Sequence, residues 1–258
     1  MGSLRLLTVN SAKTSKGEKL GWLTGILHLA PHTIAGVGNV CPMATGCRNA
    51  CLYTAGRGRF ESVANARIRR TKLFFAEREN FMLQLHKDIH SLVRKAKRED
   101  MQLCVRPNGT SDLRWETIRY KGATIFEAWP DVQFYDYTKL HNRRHDFENY
   151  HLTFSWSERP ANQRHAYTLL ESGKMNVARV YSNKSRPGVY STKWNLPTEH
   201  DEYPMLDGDE HDLRFFDPKG SYWVGLRAKA DAVTDTSGFV TPVTPRTLVL
   251  PKQVLLPH

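Results

Sequence analysis

Strands and helices alternate along this chain, and that alternation predicts an α/β fold: a TIM-like full or partial (β/α) barrel with parallel strands. Three observations carry the expectation. Short apolar runs recur between residues 20 and 230, almost all ended by polar or turn residues. A long stretch of helical periodicity separates the first two of them. Polar, chemistry-bearing side chains gather just after the apolar runs, where the strand ends of such folds carry their sites. Residues 1–240 are expected to form this one domain. Residues 241–258, with Pro242, Pro245, Pro251 and Pro257, are expected to form an extended surface tail.

The elements follow in order. LGWLTGILHLA (20–30) reads as the first strand, stopped by Pro31. From about 60 to 98 the pattern is helical, with Phe81, Leu85, Ile89, Leu92, Val93 and Ala96 on one face. MQLCVRPNG (101–109) is a strand that stops at Pro-Asn-Gly, and DVQFYDYTK (131–139) and YHLTFSWSE (150–158) are two more. Residues 161–173 read as a helix ended by Gly173. MNVARVYSN (175–183), EYPMLDGDEHDLRFFD (202–217) and SYWVGLRAKA (221–230) complete the series.

Composition narrows the function classes. With 258 residues, 40% hydrophobic and 24% charged, the chain can bury a core and is not globally disordered. The net charge of +11 points to a polyanionic partner, most often nucleic acid. No apolar run approaches the ~18 residues of a membrane span. The N-terminus lacks the apolar segment of a secretory signal. A reducing cytoplasm is therefore expected, where four cysteines suggest metal binding or catalysis more than disulfides.

The stretch CPMATGCRNACLYTAGRGRF (41–60) holds three of those cysteines in a C-x5-C-x3-C pattern. Cys47 and Cys51 stand one helical turn apart, and Cys41 precedes them. Three soft thiolates suit an iron–sulfur cluster or zinc, and three protein ligands leave one position open. A fourth could come from His28, His32 or Cys104, and the plainer alternative is three unligated thiols. Cys104 lies mid-strand and reads as core. Arg57, Arg59, Arg67, Arg69, Arg70 and Lys72 follow closely, either as a phosphate-binding segment or as a solvated helix face.

Three further clusters sit at strand ends. In VRPNGTSDLRWE (105–116), Asp112 is a candidate general acid/base or nucleophile and Asn108 and Ser111 candidate ligand contacts, with a helix cap as the alternative. In DGDEHDLRF (207–215), Asp207 is the candidate second carboxylate; Asp209, Glu210, His211 and Asp212 make an ion site or an exposed acidic turn. Tyr135, Asp136, Tyr137 and Lys139, with Ser155, Trp156, Ser157 and Glu158, could stack on a base and touch its edge; aromatic residues in strands are otherwise core.

The set CP-x-A-x-GC-x3-CL-x-TAGRG, RTKLFF, NGTSD, FYDYTK, TFSWSE and DGD-x-HDLRF-x-DPKG resembles a family of short bacteriophage proteins, from about Leu7 to Phe239. Two enzyme groups share the implied layout. The chain resembles phage DNA-guanine transglycosylases, which implies exchange of guanine in DNA for a 7-deazaguanine base, with Asp112 and Asp207 as nucleophile and acid/base. In layout it also resembles the radical S-adenosylmethionine partial barrels. That implies a [4Fe–4S] cluster on Cys41, Cys47 and Cys51 and S-adenosylmethionine as cofactor, although that family's usual spacing is C-x3-C-x2-C. Transglycosylation in the host cytoplasm is the first expectation and radical chemistry the second. A non-catalytic nucleic-acid-binding module with a structural metal is the third.

Overall fold

The structure is a computed structural model that describes residues 4–9, 14–51, 53, 56–143, 146–183 and 194–243. Within them the chain runs β1 (Leu7–Thr8), α1 (Thr14–Glu18), β2 (Trp22–Leu27), α2 (Glu61–Ala76), α3 (Arg78–Arg98), β3 (Gln102–Arg106), α4 (Ile125–Ala128), β4 (Gln133–Thr138), β5 (Tyr150–Ser155) and α5 (Pro160–Glu171). β6 (Val177–Asn183), β7 (Glu199–His200), β8 (Tyr203–Asp207), β9 (Trp223–Arg227) and β10 (Thr241–Val243) follow. Single 3-10 turns sit at Gly46–Arg48, Gly56–Arg59, Trp115–Thr117, Arg214–Phe216 and Ala230–Thr234.

The strands form one ten-stranded sheet in the order β1-β2-β3-β4-β5-β6-β9-β8-β7, with β10 on β6. All neighbours from β2 through β8 pair in parallel. The α/β class and the parallel strands are as expected, but the sheet is open, not a closed barrel. Its edges, β1 and β7, are each antiparallel to their one neighbour. The strands lie in chain order from β1 to β6; β9 then takes the place beside β6 and β8 docks outside it, which breaks the neighbour-to-neighbour winding that closes a barrel.

Side chains alternate across the sheet. On β3, Leu103 and Val105 join the core under the helices with Phe74, Phe81, Leu85 and Ile89. Cys104 faces the other way, against Tyr135 and Leu213. The helical stretch expected over 60–98 is two helices, because Glu77 leaves the helical region (φ −135°, ψ 60°). The break lets Phe74 and Phe81 meet edge-to-face at 5.1 Å in one core. Gly25 on β2 admits α3 closely, since a Cβ there would stand 2.7 Å from Leu92 Cδ1. A second core around Phe154, Trp156, Leu170, Val177 and Trp223 seats α5.

Two further expectations change. Residues 202–217 are not one strand. The strand ends at Asp207, and 208–217 folds back over the face that carries Cys104, where Phe215 meets Trp22 at 4.8 Å. The tail, expected to lie extended on the surface, begins as a strand of the sheet: Thr241–Val243 pairs in parallel with Tyr181–Asn183. Pro242 is tolerated because β10 takes up only an edge position. Residues 244–258 of that expectation lie outside the described residues.

The edge strand β1 is tied down by one buried carboxylate. Asp88 of α3 accepts hydrogen bonds from Leu6 N (2.6 Å), Leu7 N (3.0 Å) and Gln84 Nε2 (2.7 Å). Asp88→Ala leaves two buried amides without an acceptor and should cost about 3 kcal/mol in urea unfolding. Amide exchange at Leu6 and Leu7 should rise before the rest of the sheet opens; unchanged protection there would count against this tether.

Candidate active-site cleft

Loops after β2, β3, β4 and β5 meet at the C-terminal edge of the parallel sheet and enclose a cleft of about 150 Å³. The β2 loop contributes His32, Arg48 and all three cysteines of the C-x5-C-x3-C motif: Cys41, Cys47 and Cys51. Arg106, Asn108, Ser111 and Asp112 enter from the end of β3, Tyr137 and Lys139 from β4, and Ser155 from β5. This is the placement expected of a ligand site in an α/β sheet.

The thiols are held by bonds to neighbouring loops. Cys41 N donates to Asn39 Oδ1 (2.8 Å), and its Sγ lies 3.5 Å from Thr110 O. Cys47 sits in the Gly46–Arg48 turn, and Gly46 N donates to Glu158 Oε1 at 2.8 Å, which pins the loop to the end of β5. Cys51 Sγ accepts from Tyr53 N at 3.5 Å. Burial pushes the Cys41 thiol up to about 12, and Asp112 and the other two thiols add to the rise. Burial raises Cys51 too, against Arg67 and Lys139. Among the described residues no three His, Cys, Asp or Glu side chains stand close enough together to hold a metal ion as placed. The donor set is nevertheless three thiols lining one cleft, the ligand chemistry of an iron–sulfur cluster. Of the suggested fourth ligands only His32 lines the cleft. Cys104 is buried 3.3 Å from Thr24 Oγ1, as a core residue.

Asp112 lies in the cleft wall with both oxygens engaged. Oδ2 accepts from Lys139 N (2.8 Å), and Oδ1 meets Arg143 Nη1 at 3.4 Å. Burial raises its carboxyl, opposed by those partners. Arg143 is fully buried and also grips Glu116 through Nε (3.0 Å) and Nη2 (2.6 Å), and Tyr150 Oη (2.6 Å). Lys139 Nζ donates to Trp156 O (3.3 Å) and lies 4.6 Å from the Phe239 ring centre.

Asn108 is the knot behind the wall. Its amide N and Nδ2 donate to Asp136 Oδ1 and Oδ2, both at 2.8 Å. Its Oδ1 accepts from Ser111 Oγ (2.8 Å), Leu113 N (2.9 Å) and Trp115 Nε1 (3.2 Å). Asn108 and Ser111, expected as ligand contacts, spend these atoms on the loop itself. Asp136, also expected to touch substrate, is fully buried and takes a further bond from Tyr150 Oη (3.0 Å). Burial pushes its carboxyl up to about 7, while Arg143, Arg106 and these donors act the other way.

Several other expectations separate from the cleft. Asp207 does not line it; Arg227 clasps Asp207 at 2.7 and 2.8 Å and holds its carboxyl below the usual range. The two carboxylates assigned to one exchange reaction therefore sit on different loops, because β8 docks beyond β9 and far along the sheet order from β3. Asp209 pairs with Arg227 and Lys229. Asp212 is buried on Arg106 and Tyr135 Oη, so Tyr135 is an interior residue and not a stacking platform. Arg67 is buried, donates to Tyr53 O (3.1 Å) and packs on the Tyr53 ring; Arg70 Nε donates to Arg5 O (3.0 Å). Arg59 pairs loosely with Asp231 at 3.5 Å, Lys72 is exposed, and the side chain of Arg57 lies outside the described residues. The basic segment thus divides between structural and exposed cations, not one phosphate-binding face. Sequence reasoning missed Arg143 and Glu116, which lie in polar stretches with no periodic signal. Glu158, expected among the base contacts, braces the cysteine loop.

An open, mostly parallel α/β sheet with a thiol-lined cleft at its C-terminal edge defines the class of protein. Residues 5–242 match the family described as Gene product 88, and the chain belongs to that family of bacteriophage proteins. No curated protein and no solved structure matches it.

Asn108→Ala should lower stability by about 3 kcal/mol, since it strips partners from buried Asp136 and Trp115. A thermal midpoint within a degree of wild type would contradict the knot. The raised Asp136 carboxyl sets a pH sign. The folded state holds a proton that the unfolded chain, with an ordinary carboxyl near ~4, gives up. Stability from this group therefore falls as pH rises from about 4 to about 7. Urea unfolding at pH 5 and pH 7.5 should show a smaller loss for Asp136→Asn than for wild type.

Proposed function

We propose that this protein is a phage enzyme of the radical S-adenosylmethionine class, with Cys41, Cys47 and Cys51 as the ligands of an iron–sulfur cluster. The observation that carries the reading is that all three thiols line one cleft at the C-terminal edge of a parallel sheet. When bound, such a cluster would supply one electron to S-adenosylmethionine. Its binding would require the three thiols to come closer together than they stand here, and would release their protons.

The chain's own residues have definable tasks. Glu158 and Asn39 fix the loop that bears the thiols. Asp112, its carboxyl raised by burial and anchored by Lys139 N and Arg143, is placed to hold a proton in the cleft wall. Among the Arg, Lys, Asp and Glu residues that line the cleft, Arg48, Arg106 and Lys139 outnumber Asp112 and favour an anionic substrate. With a net charge of +11, DNA is the proposed macromolecular substrate and a base the proposed point of modification. Guanine exchange needs two carboxylates about one sugar; Asp207 is not among the residues that line the cleft with Asp112, which favours the radical reading.

Anaerobic reconstitution with iron and sulfide should give a brown protein absorbing near ~400 nm, as thiolate-bound clusters do. Alanine at Cys41, Cys47 or Cys51 should each abolish that band and the reductive cleavage of S-adenosylmethionine. Protein that takes up zinc alone, or a triple Cys→Ala variant that keeps the band, overturns the reading. Incorporation of labelled guanine into DNA by the metal-free chain would restore the exchange reaction instead.

A further inference from the structure

Beneath the cleft lies a group of buried polar atoms with no hydrogen-bond partner: Arg106 Nε, Tyr137 Oη, Thr153 Oγ1, Arg214 Nε and Nη1, and Asp217 Oδ2. They belong together. Tyr137 and Thr153 are cross-strand partners of β4 and β5, and the Arg106 guanidinium lies 4.7 Å from the Tyr137 ring centre. Arg214 arrives from the loop after β8, which folds over this face, and its charge acts on the Tyr137 hydroxyl. Each guanidinium is neutralised on one edge only. Arg106 Nη1 meets Asp212 at 3.0 Å, and Arg214 Nη1 stands 3.1 Å from Asp217 Oδ2 without hydrogen-bond alignment. Arg214 Nη2 is held by His211, while Nε of both arginines remains unused. Arginine nitrogens can only donate, so the unsatisfied set is rich in donors and poor in acceptors. Burial keeps the Tyr137 hydroxyl protonated, with its ionisation pushed up to about 12.

Buried donors left unmet are costly, and native proteins meet nearly all of them with protein, water or ligand. Arg106 and Tyr137 line the cleft as well as this interior group, so the cleft is the route of approach. We propose that Arg106 and Tyr137 form a receptor for an anionic group, a carboxylate or a phosphate, at the inner end of the substrate. The group would accept from Arg106 Nε and Tyr137 Oη, while Lys139 and Arg48 supply positive potential at the mouth. This deepens the proposed function by naming the substrate's chemistry, and rests on that reading only for which reaction follows.

The test uses the metal-free full chain, so it does not depend on cluster loading. Titration with inorganic phosphate and with acetate, followed by thermal shift and calorimetry, should show saturable binding of at least one; the stronger arm identifies the group. Tyr137→Phe removes one unpaired hydroxyl and should fold as wild type, yet bind the preferred anion about tenfold more weakly. Arg106→Lys should weaken it further. Lys72→Ala, an exposed cation on α2, should bind as wild type. No saturable binding of either anion, equal affinity in Tyr137→Phe, or an equal loss in Lys72→Ala overturns the proposal; in the first case internal water satisfies the donors. Anion binding by a chain that fails to take up a cluster on reconstitution would leave this receptor standing while the radical reading falls.

Discussion

The buried lock between Asn108 and Asp136 is the constraint on which the cleft depends. A loop that leaves a parallel strand has no sheet to satisfy its backbone, and here it must also carry a carboxylate at a defined place. Asn108 supplies what the loop lacks, bonding both oxygens of Asp136 on the next strand and three donors of its own loop. Asp112 then falls where its amide reaches Val40 O at 2.8 Å, just before Cys41. The wall that presents the thiols and the wall that presents Asp112 are in this way one construction.

Around that lock the buried charges form two layers. Behind the cleft wall, Arg143 joins Asp112, Glu116 and Tyr150; on the opposite face of the sheet, Arg106 and Arg214 meet Asp212 and Asp217. The first layer is well bonded, as a network that positions loops must be. The second is not: Arg106 and Tyr137, which line the cleft, keep polar atoms without a partner. The proposed anion site would complete that bonding.

Much of the fold could be read from the chain. The apolar runs at 20–30, 101–109, 131–139 and 150–158 are β2 to β5, and the 161–173 periodicity is α5 within two residues. The three cysteines, Arg106, Asp112, Lys139 and Ser155 all line one cleft, because each follows a parallel strand and such strands end on the same edge. What misled was composition read without partners. Asp207 and the arginines of α2 are chemically suitable for catalysis and for phosphate, yet Arg227, Tyr53 and Arg5 already occupy most of them.

The sequence by itself determined the α/β class, the strand-end position of the site and the thiol motif. All three follow from periodicity, turn residues and spacing within short segments. Only the tertiary structure decided that the sheet stays open, that Asp207 lies apart from Asp112, and that Asn108 and Asp136 are braces instead of ligand contacts. The reason is physical. Strand order and the choice of partner for a buried charge depend on which distant segments dock together, and docking is settled by packing across the whole sheet.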